Sequence, residues 1–264
     1  MIDIKLILQK YNIHSKKYMG QNFLIDENVL NKIIGAANLS LKDTVLEIGP
    51  GLGILTVELA KRTKKVIAIE KDKTLCEILK KILKEQNINN VEIVNKDILK
   101  VSDEIPNSNY KIVANIPYYL TSPLIRKFLE VENKPSLMIL MVQKEVAQRI
   151  TAKPPHMSIL SIAVQFYAEP EIIDYVPKSS FFPMPKVDSA IIKIIPQSYV
   201  GRATSHINMK KFFKLVKTGF SSKRKMLKNN LPEIDLEKIG LNPKVRAENL
   251  SIDDWMKIYR DFYS

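Results

Sequence analysis

Residues 44–53 read Thr44-Val45-Leu46-Glu47-Ile48-Gly49-Pro50-Gly51-Leu52-Gly53: a run of strand character passes into one proline and three glycines, and a helical pattern follows. A glycine-rich turn from strand to helix lets the backbone approach a bound ligand closely, here at Gly49 and Gly51. The third glycine comes one residue too early for the dinucleotide fingerprint Gly-x-Gly-x-x-Gly. That spacing argues against a pyrophosphate and for a compact nucleoside ligand. A tight turn with no ligand is the other reading of the same residues.

On either side of this turn, short β-rich runs alternate with amphipathic helical patterns, the signal for βαβ units and a parallel sheet. The expected strands are Thr44–Ile48, Val66–Glu70, Val91–Asn95, Lys111–Ala114, Leu137–Val142, Glu171–Val176 and Ala190–Ile195. Leu75, Ile78, Leu79, Ile82 and Leu83 recur at helical spacing and mark a crossover helix with one face on the sheet. The last two strands are separated by a short segment carrying Pro183 and Pro185, which suits an antiparallel pair at one edge. The fold class is therefore α/β, a seven-stranded sheet with an antiparallel edge strand. After Gln197 the β pattern stops. Met209, Phe212, Phe213, Val216 and Phe220, then Trp255, Ile258, Tyr259 and Phe262, read as a small all-helical domain, giving domains 1–198 and 199–264.

The 264 residues include 45% hydrophobic and 26% charged side chains, a globular composition that excludes a disordered tail or fibrous repeat. Apolar stretches such as Leu137–Val142 are too short to span a bilayer, and Asp3 and Lys5 interrupt any signal-peptide core, so a cytoplasmic protein with no membrane partner is expected. One cysteine, Cys76, and three histidines speak against a disulfide and against a zinc or iron site. Forty-one Lys and Arg against 28 Asp and Glu give a net charge of +13, which favours a polyanionic partner. Between Ala203 and Pro232 stand eight basic residues and no acid, with Phe212, Phe213 and Phe220 on an apolar stripe among them. A solvated face is one reading of that block, phosphate contact the other.

Glu70 ends the second strand, 21 residues beyond Gly49, where a carboxylate can accept hydrogen bonds from ribose hydroxyls, and Asp97 ends the third βα junction similarly. Either acid alone reads equally as a helix cap. The fourth strand ends in Asn115-Ile116-Pro117-Tyr118. An amide oxygen, a backbone carbonyl and an aromatic ring at that edge suit a flat base bearing an exocyclic amine. The adenine amine is a poor nucleophile because its lone pair is delocalised into the ring. If the Asn115 side chain and the Ile116 carbonyl accept its two N–H bonds, the nitrogen is drawn toward tetrahedral geometry, and Tyr118 can stack on the base. An Asn-capped turn with a proline corner is the structural alternative.

The ordered segments Lys16-Lys17-Tyr18-Met19-Gly20-Gln21-Asn22-Phe23-Leu24, Glu47–Gly53, Asn115–Tyr118, Phe181-Phe182-Pro183-Met184-Pro185-Lys186-Val187-Asp188-Ser189-Ala190, Phe220–Lys225 and Arg246–Ser251 resemble the ribosomal RNA adenine dimethyltransferases. The resemblance covers nearly the whole chain and is strongest to the bacterial small-subunit (16S) branch. It implies a Rossmann-like methyltransferase domain and S-adenosylmethionine as methyl donor, contacted by Asn22, Leu24, Gly49, Gly51, Glu70, Asp97 and Asn115. It implies catalytic Asn115, Ile116, Pro117 and Tyr118, with Tyr118, Phe181 and Phe182 around the target base. Two adjacent adenosines near the 3′ end of small-subunit RNA, in immature 30S subunits, would each be dimethylated by a monomer. Lys16, Lys17, Lys223, Arg224 and Lys225 would contact the RNA. Phe181 and Phe182 also read as plain core or edge-strand aromatics. The segment Thr151–Ser161, with Pro154 and Pro155, departs from the family pattern. Two rival functions remain at this level: a resistance-type enzyme acting on large-subunit RNA, and a non-catalytic ribosome-assembly or transcription factor on the same fold.

Overall fold

The computed structural model describes residues 4–13, 20–102, 104–197, 207–222 and 224–263. They form two compact units, one drawn from the chain up to Ala147 and from Glu171–Pro196, the other from Gln148–Pro170 and the chain from Gln197 onward.

Nine strands occur among the described residues: β1 (Phe23–Leu24), β2 (Thr44–Ile48), β3 (Lys65–Glu70), β4 (Val91–Asn95), β5 (Lys111–Asn115), β6 (Leu137–Gln143), β7 (Ala168–Val176), β8 (Phe181–Phe182) and β9 (Ser189–Pro196). Seven of them form the sheet of the first unit in the order β4-β3-β2-β5-β6-β9-β7, and β1 pairs separately with β8. Strands β2 to β6 are parallel. Strand β9 runs against β6, with Ser189 opposite Gln143, and β7 lies outside it. Burial follows position: β6 buries six consecutive residues, as an inner strand must, whereas β7 alternates between covered and exposed side chains. From β2 the chain moves outward through β3 and β4, then returns to the other side of β2 as β5. The strand order reverses there, so a crevice opens at the carboxyl ends of β2 and β5.

Helices α1 (Ile4–Lys10), α2 (Glu27–Ala37), α3 (Ile54–Ala60), α4 (Lys73–Glu85) and α5 (Thr121–Glu130) accompany the sheet. Helix α4 starts at an Asp72 cap and buries Leu75, Cys76, Ile78, Leu79, Ile82 and Leu83, the stripe read from the sequence. Helix α6 (Lys144–Ile150) follows β6 directly.

The second unit contains α7 (Ile159–Gln165), α8 (Met209–Gly219), α9 (Leu227–Asn230) and α10 (Ile252–Tyr263). Its core joins Met157, Ile162 and Phe166 to Phe212, Val216, Leu227, Trp255 and Ile258. The division thus differs from a single boundary near residue 198. The apolar side of α7 packs with the C-terminal helices, so the segment 148–170, up to the first residues of β7, groups with them. No helix among the described residues is long and apolar enough to cross a membrane.

Candidate active site

At the carboxyl end of the sheet lies a cavity of about 160 Å³, lined by residues 20–24, the β2–α3 turn, the ends of β3 and β5, and residues 96–99. Gly49, Gly51 and Gly53 have φ of +68°, +59° and +84°. These left-handed conformations are what let the chain turn from strand to helix within so few residues. At Gly51 a Cβ would stand 3.2 Å from the Phe23 ring, so the missing side chain leaves room for the wall opposite. The Gly49 N–H donates to the Ile69 carbonyl (2.9 Å), which ties the turn to β3.

The expected acids are both at the cavity and both are held. Glu70 Oε2 accepts from the Gly51 N–H (3.3 Å) and Oε1 from the Asp72 N–H (2.8 Å). Burial raises its pKa, although these N–H donors favour the ionised form. Asp97 caps the short turn after β4, accepting from the Leu99 N–H (3.0 Å), and faces Lys71 Nζ (3.0 Å). Partial burial would raise its carboxyl, but the Lys71 ammonium and the Leu99 N–H outweigh it, and the group sits below the usual carboxylate range.

Sequence reasoning missed Glu47. It lines the cavity yet is only 1% exposed, and its Oε2 lacks a hydrogen-bond partner among the described residues. Burial, with the Glu70 charge acting in the same direction, pushes its pKa up to about 8. A carboxylate in the middle of the otherwise apolar run Val45–Ile48 was the available signal.

Asn115 closes β5 at the opposite wall. Its Nδ2 donates to the Asn22 carbonyl (3.2 Å), which leaves Oδ1 as an acceptor at the cavity. Ile116, Pro117 and Tyr118 line the same wall, and the half-buried Tyr118 hydroxyl meets Ser189 Oγ at 2.8 Å. Asn22 and Leu24 line the cavity too, and Asn22 Nδ2 holds the Gly20 carbonyl (3.2 Å). The structure therefore gathers Asn22, Leu24, Gly49, Gly51, Glu70, Asp97, Asn115, Ile116, Pro117 and Tyr118 around one space. It does not bring Phe181 or Phe182 to the cavity lining. Phe181 pairs with Leu24 and is buried in the core, whereas Phe182 pairs with Phe23 and is 40% exposed, the alternation of a strand. Lys16, Lys17 and Lys223 lie outside the described residues. Arg224 and Lys225 are exposed in the second unit.

These groups can offer a nucleoside-bearing ligand a close-approach backbone and carboxylate acceptors, and the amide, carbonyl and ring at the opposite wall are of the chemistry that suits an amine-bearing base. Among the described residues no cluster of His, Cys, Asp and Glu could hold a metal ion. The family described as "Ribosomal RNA adenine dimethylase" matches residues 12–263. The chain belongs to the ribosomal RNA adenine dimethylase family. It is 43% identical to the ribosomal RNA small subunit methyltransferase A of Dehalococcoides mccartyi, over 99% of this chain and 93% of that protein. To the protein of the same name from Halothermothrix orenii it is 43% identical, over 93% and 87%. A dimethyladenosine transferase from Plasmodium falciparum superimposes with a TM-score of 0.77 at 31% identity, covering 91% of this chain and 97% of that one. A 23S ribosomal RNA methyltransferase gives 0.74 at 27% identity, covering 90% and 98%. This dimethylase is thus an S-adenosylmethionine-dependent enzyme, and the acceptors and glycine cradle at its sheet edge fit that donor.

Proposed function

We propose that this dimethylase converts two adjacent adenosines near the 3′ end of small-subunit (16S) ribosomal RNA to dimethyladenosines, acting as a cytoplasmic monomer on immature 30S subunits. The observation that carries the reading is the Asn115 amide: its nitrogen is engaged by Asn22, so its oxygen is left to accept from an amine beside the Ile116 carbonyl. Identity of 43% to relatives named for the small subunit, against 27% to the solved 23S enzyme, favours the 16S substrate.

When bound, the donor supplies an electrophilic methyl on a sulfonium centre. Asn22, Leu24, Gly49, Gly51, Glu70, Asp97 and Asn115 hold it, with the Glu70 oxygens already oriented by two backbone N–H groups. Asn115 Oδ1 and the Ile116 carbonyl accept hydrogen bonds from the two amine N–H groups of the target adenine and localise its lone pair. Pro117 stiffens the corner between them and Tyr118, and Tyr118 stacks on the base, an interaction worth roughly 1–3 kcal/mol. The exposed Phe182 is better placed than the buried Phe181 to add a second ring. Catalysis is chiefly alignment, which can be worth on the order of 7–11 kcal/mol. RNA is gripped through Lys16, Lys17, Lys223, Arg224 and Lys225, and the second unit serves as the RNA-recognition domain. Its support is the acid-free block from Ala203 to Pro232.

The test is transfer of labelled methyl from S-adenosylmethionine to immature 30S subunits, with 50S subunits in parallel and nucleoside analysis of the product. Dimethyladenosine in small-subunit RNA is the expected result. Label confined to the 50S sample would move the substrate to large-subunit RNA, and no label in either would leave an assembly factor.

A further inference from the structure

We propose that Ser189 is a positioning residue for the target base: by holding the Tyr118 hydroxyl it fixes the plane of the ring, and the second methyl transfer depends on that more than the first. This rests on the reading of Tyr118 as the stacking platform.

The Tyr118 hydroxyl and Ser189 Oγ lie 2.8 Å apart, although the two residues are 71 positions apart in the chain. Ser189 is fully buried. It opens β9 opposite Gln143, and its neighbour Asp188 is held twice. The Asp188 carbonyl accepts from the Lys144 N–H (3.0 Å) and its Oδ1 from the Lys178 N–H (3.1 Å). At the other end of the tether, Tyr118 begins a 3₁₀ turn pinned by Thr121 Oγ1 on the Tyr118 carbonyl (3.0 Å) and by the Leu120 N–H on the Pro117 carbonyl (2.9 Å). The ring is therefore fixed at its backbone and at its hydroxyl. Burial raises the phenol pKa, so the hydroxyl stays protonated and serves the tether rather than as a base.

The two transfers differ in how much directional information the amine supplies. Unmodified adenine offers two N–H bonds, one for Asn115 Oδ1 and one for the Ile116 carbonyl. After one methyl has been added only one N–H remains, so the base is oriented by a single hydrogen bond and by the plane of the ring on which it stacks. A small misplacement of a reacting group can cost on the order of 10²-fold in rate. Freeing the ring therefore slows the second step more than the first.

The experiment measures the ratio of monomethyladenosine to dimethyladenosine over time on immature 30S subunits, together with donor affinity by calorimetry. With Ser189→Ala, monomethyladenosine should accumulate, the second step slowing by about tenfold and the first by about threefold or less, while donor affinity stays near wild type. Tyr118→Phe removes the same tether from the other side and should give the same ratio. The double variant should be no worse than either single one, as expected for two groups acting through one hydrogen bond. A loss of folded protein would lower both steps equally and leave the ratio unchanged when it is compared at equal extent of total methylation, which is how the variants are compared. If Ser189→Ala does not fold, Tyr118→Phe alone decides: accumulation supports the tether and a wild-type ratio overturns it. A wild-type ratio in a folded Ser189→Ala variant likewise overturns the proposal. If the wild-type enzyme makes no dimethyladenosine, the functional reading fails, and the proposal falls with it.

Discussion

At the cavity the three polar side chains at the strand ends are held from behind: Glu70 by two backbone N–H groups, Asp97 by Leu99 and Lys71, Asn115 by Asn22. In the basic block the opposite holds. Lys210, Lys214, Lys217, Arg224, Lys225 and Lys228 form no ion pair with another described residue, whereas Lys238 and Lys257 of the same unit face Asp261 and Asp254. In the first unit Lys10, Lys61, Lys65 and Lys80 all face carboxylates. Exposed pairs of this kind add only about 0–1 kcal/mol each to stability. Their effect is on the field, because a paired lysine projects little potential and an unpaired run projects much. A ligand recognised atom by atom needs acceptors fixed beforehand, while a phosphate backbone needs only uncompensated charge.

The largest effect belongs to the fixed side of this contrast. Asn115→Ala should lower methyl transfer by about 10²–10³-fold, the scale for loss of one preorganised hydrogen-bonding group, with donor affinity only modestly changed. Near-normal turnover would remove Asn115 from catalysis. Next comes the unpaired block. Neutralising Lys223, Arg224 and Lys225 should weaken RNA binding and flatten the dependence of log affinity on log salt by about 0.7–0.9 for each phosphate left without its cation. The paired triple Lys61, Lys65 and Lys80 is the control, and if its neutralisation flattens the slope as much, the contrast between the units collapses. The smallest effect concerns Glu47. A carboxyl whose folded-state pKa is raised from 4.5 to about 8 resists ionisation, so stability is fully present below 4.5 and declines as pH rises toward about 8. Glu47→Gln should abolish this decline and melt higher than wild type above pH 8, by roughly 5 °C. Parallel melting curves for the two proteins across that range would show that Glu47 does not carry the dependence.

The strands of the large sheet were legible because each is a short run rich in β-branched or other apolar residues, and Val66–Glu70 and Leu137–Val142 needed only a residue or so of extension. The pairing of Phe23-Leu24 with Phe181-Phe182 was not, since two residues carry no periodicity. Nor was the company kept by α7. Ile162 sits on a readable helical stripe, but a stripe does not say which core it will join. At the cavity, Glu70, Asp97 and Asn115 could be found because strand ends in a parallel sheet share one edge. Glu47 escaped because it lies inside a strand, and its approach to the cavity depends on how that strand gives way to the glycine turn. Ser189 escaped because a tether across 71 residues leaves no mark in local sequence.

The antiparallel direction of β9 bears on the order in which the site is completed. Every described residue lining the cavity lies between Ile4 and Leu120, so the proposed donor pocket is encoded in one continuous stretch of chain. The Tyr118 tether waits for Ser189, which reaches the same edge only because β9 enters the sheet from the opposite end. Between the two the chain passes into the second unit for residues 148–170 and comes back. During synthesis from the N-terminus, the residues proposed to bind the donor are therefore all present before those proposed to lock the base platform, and the long-range β6–β9 pairing marks the passage from a pocket to the complete proposed site.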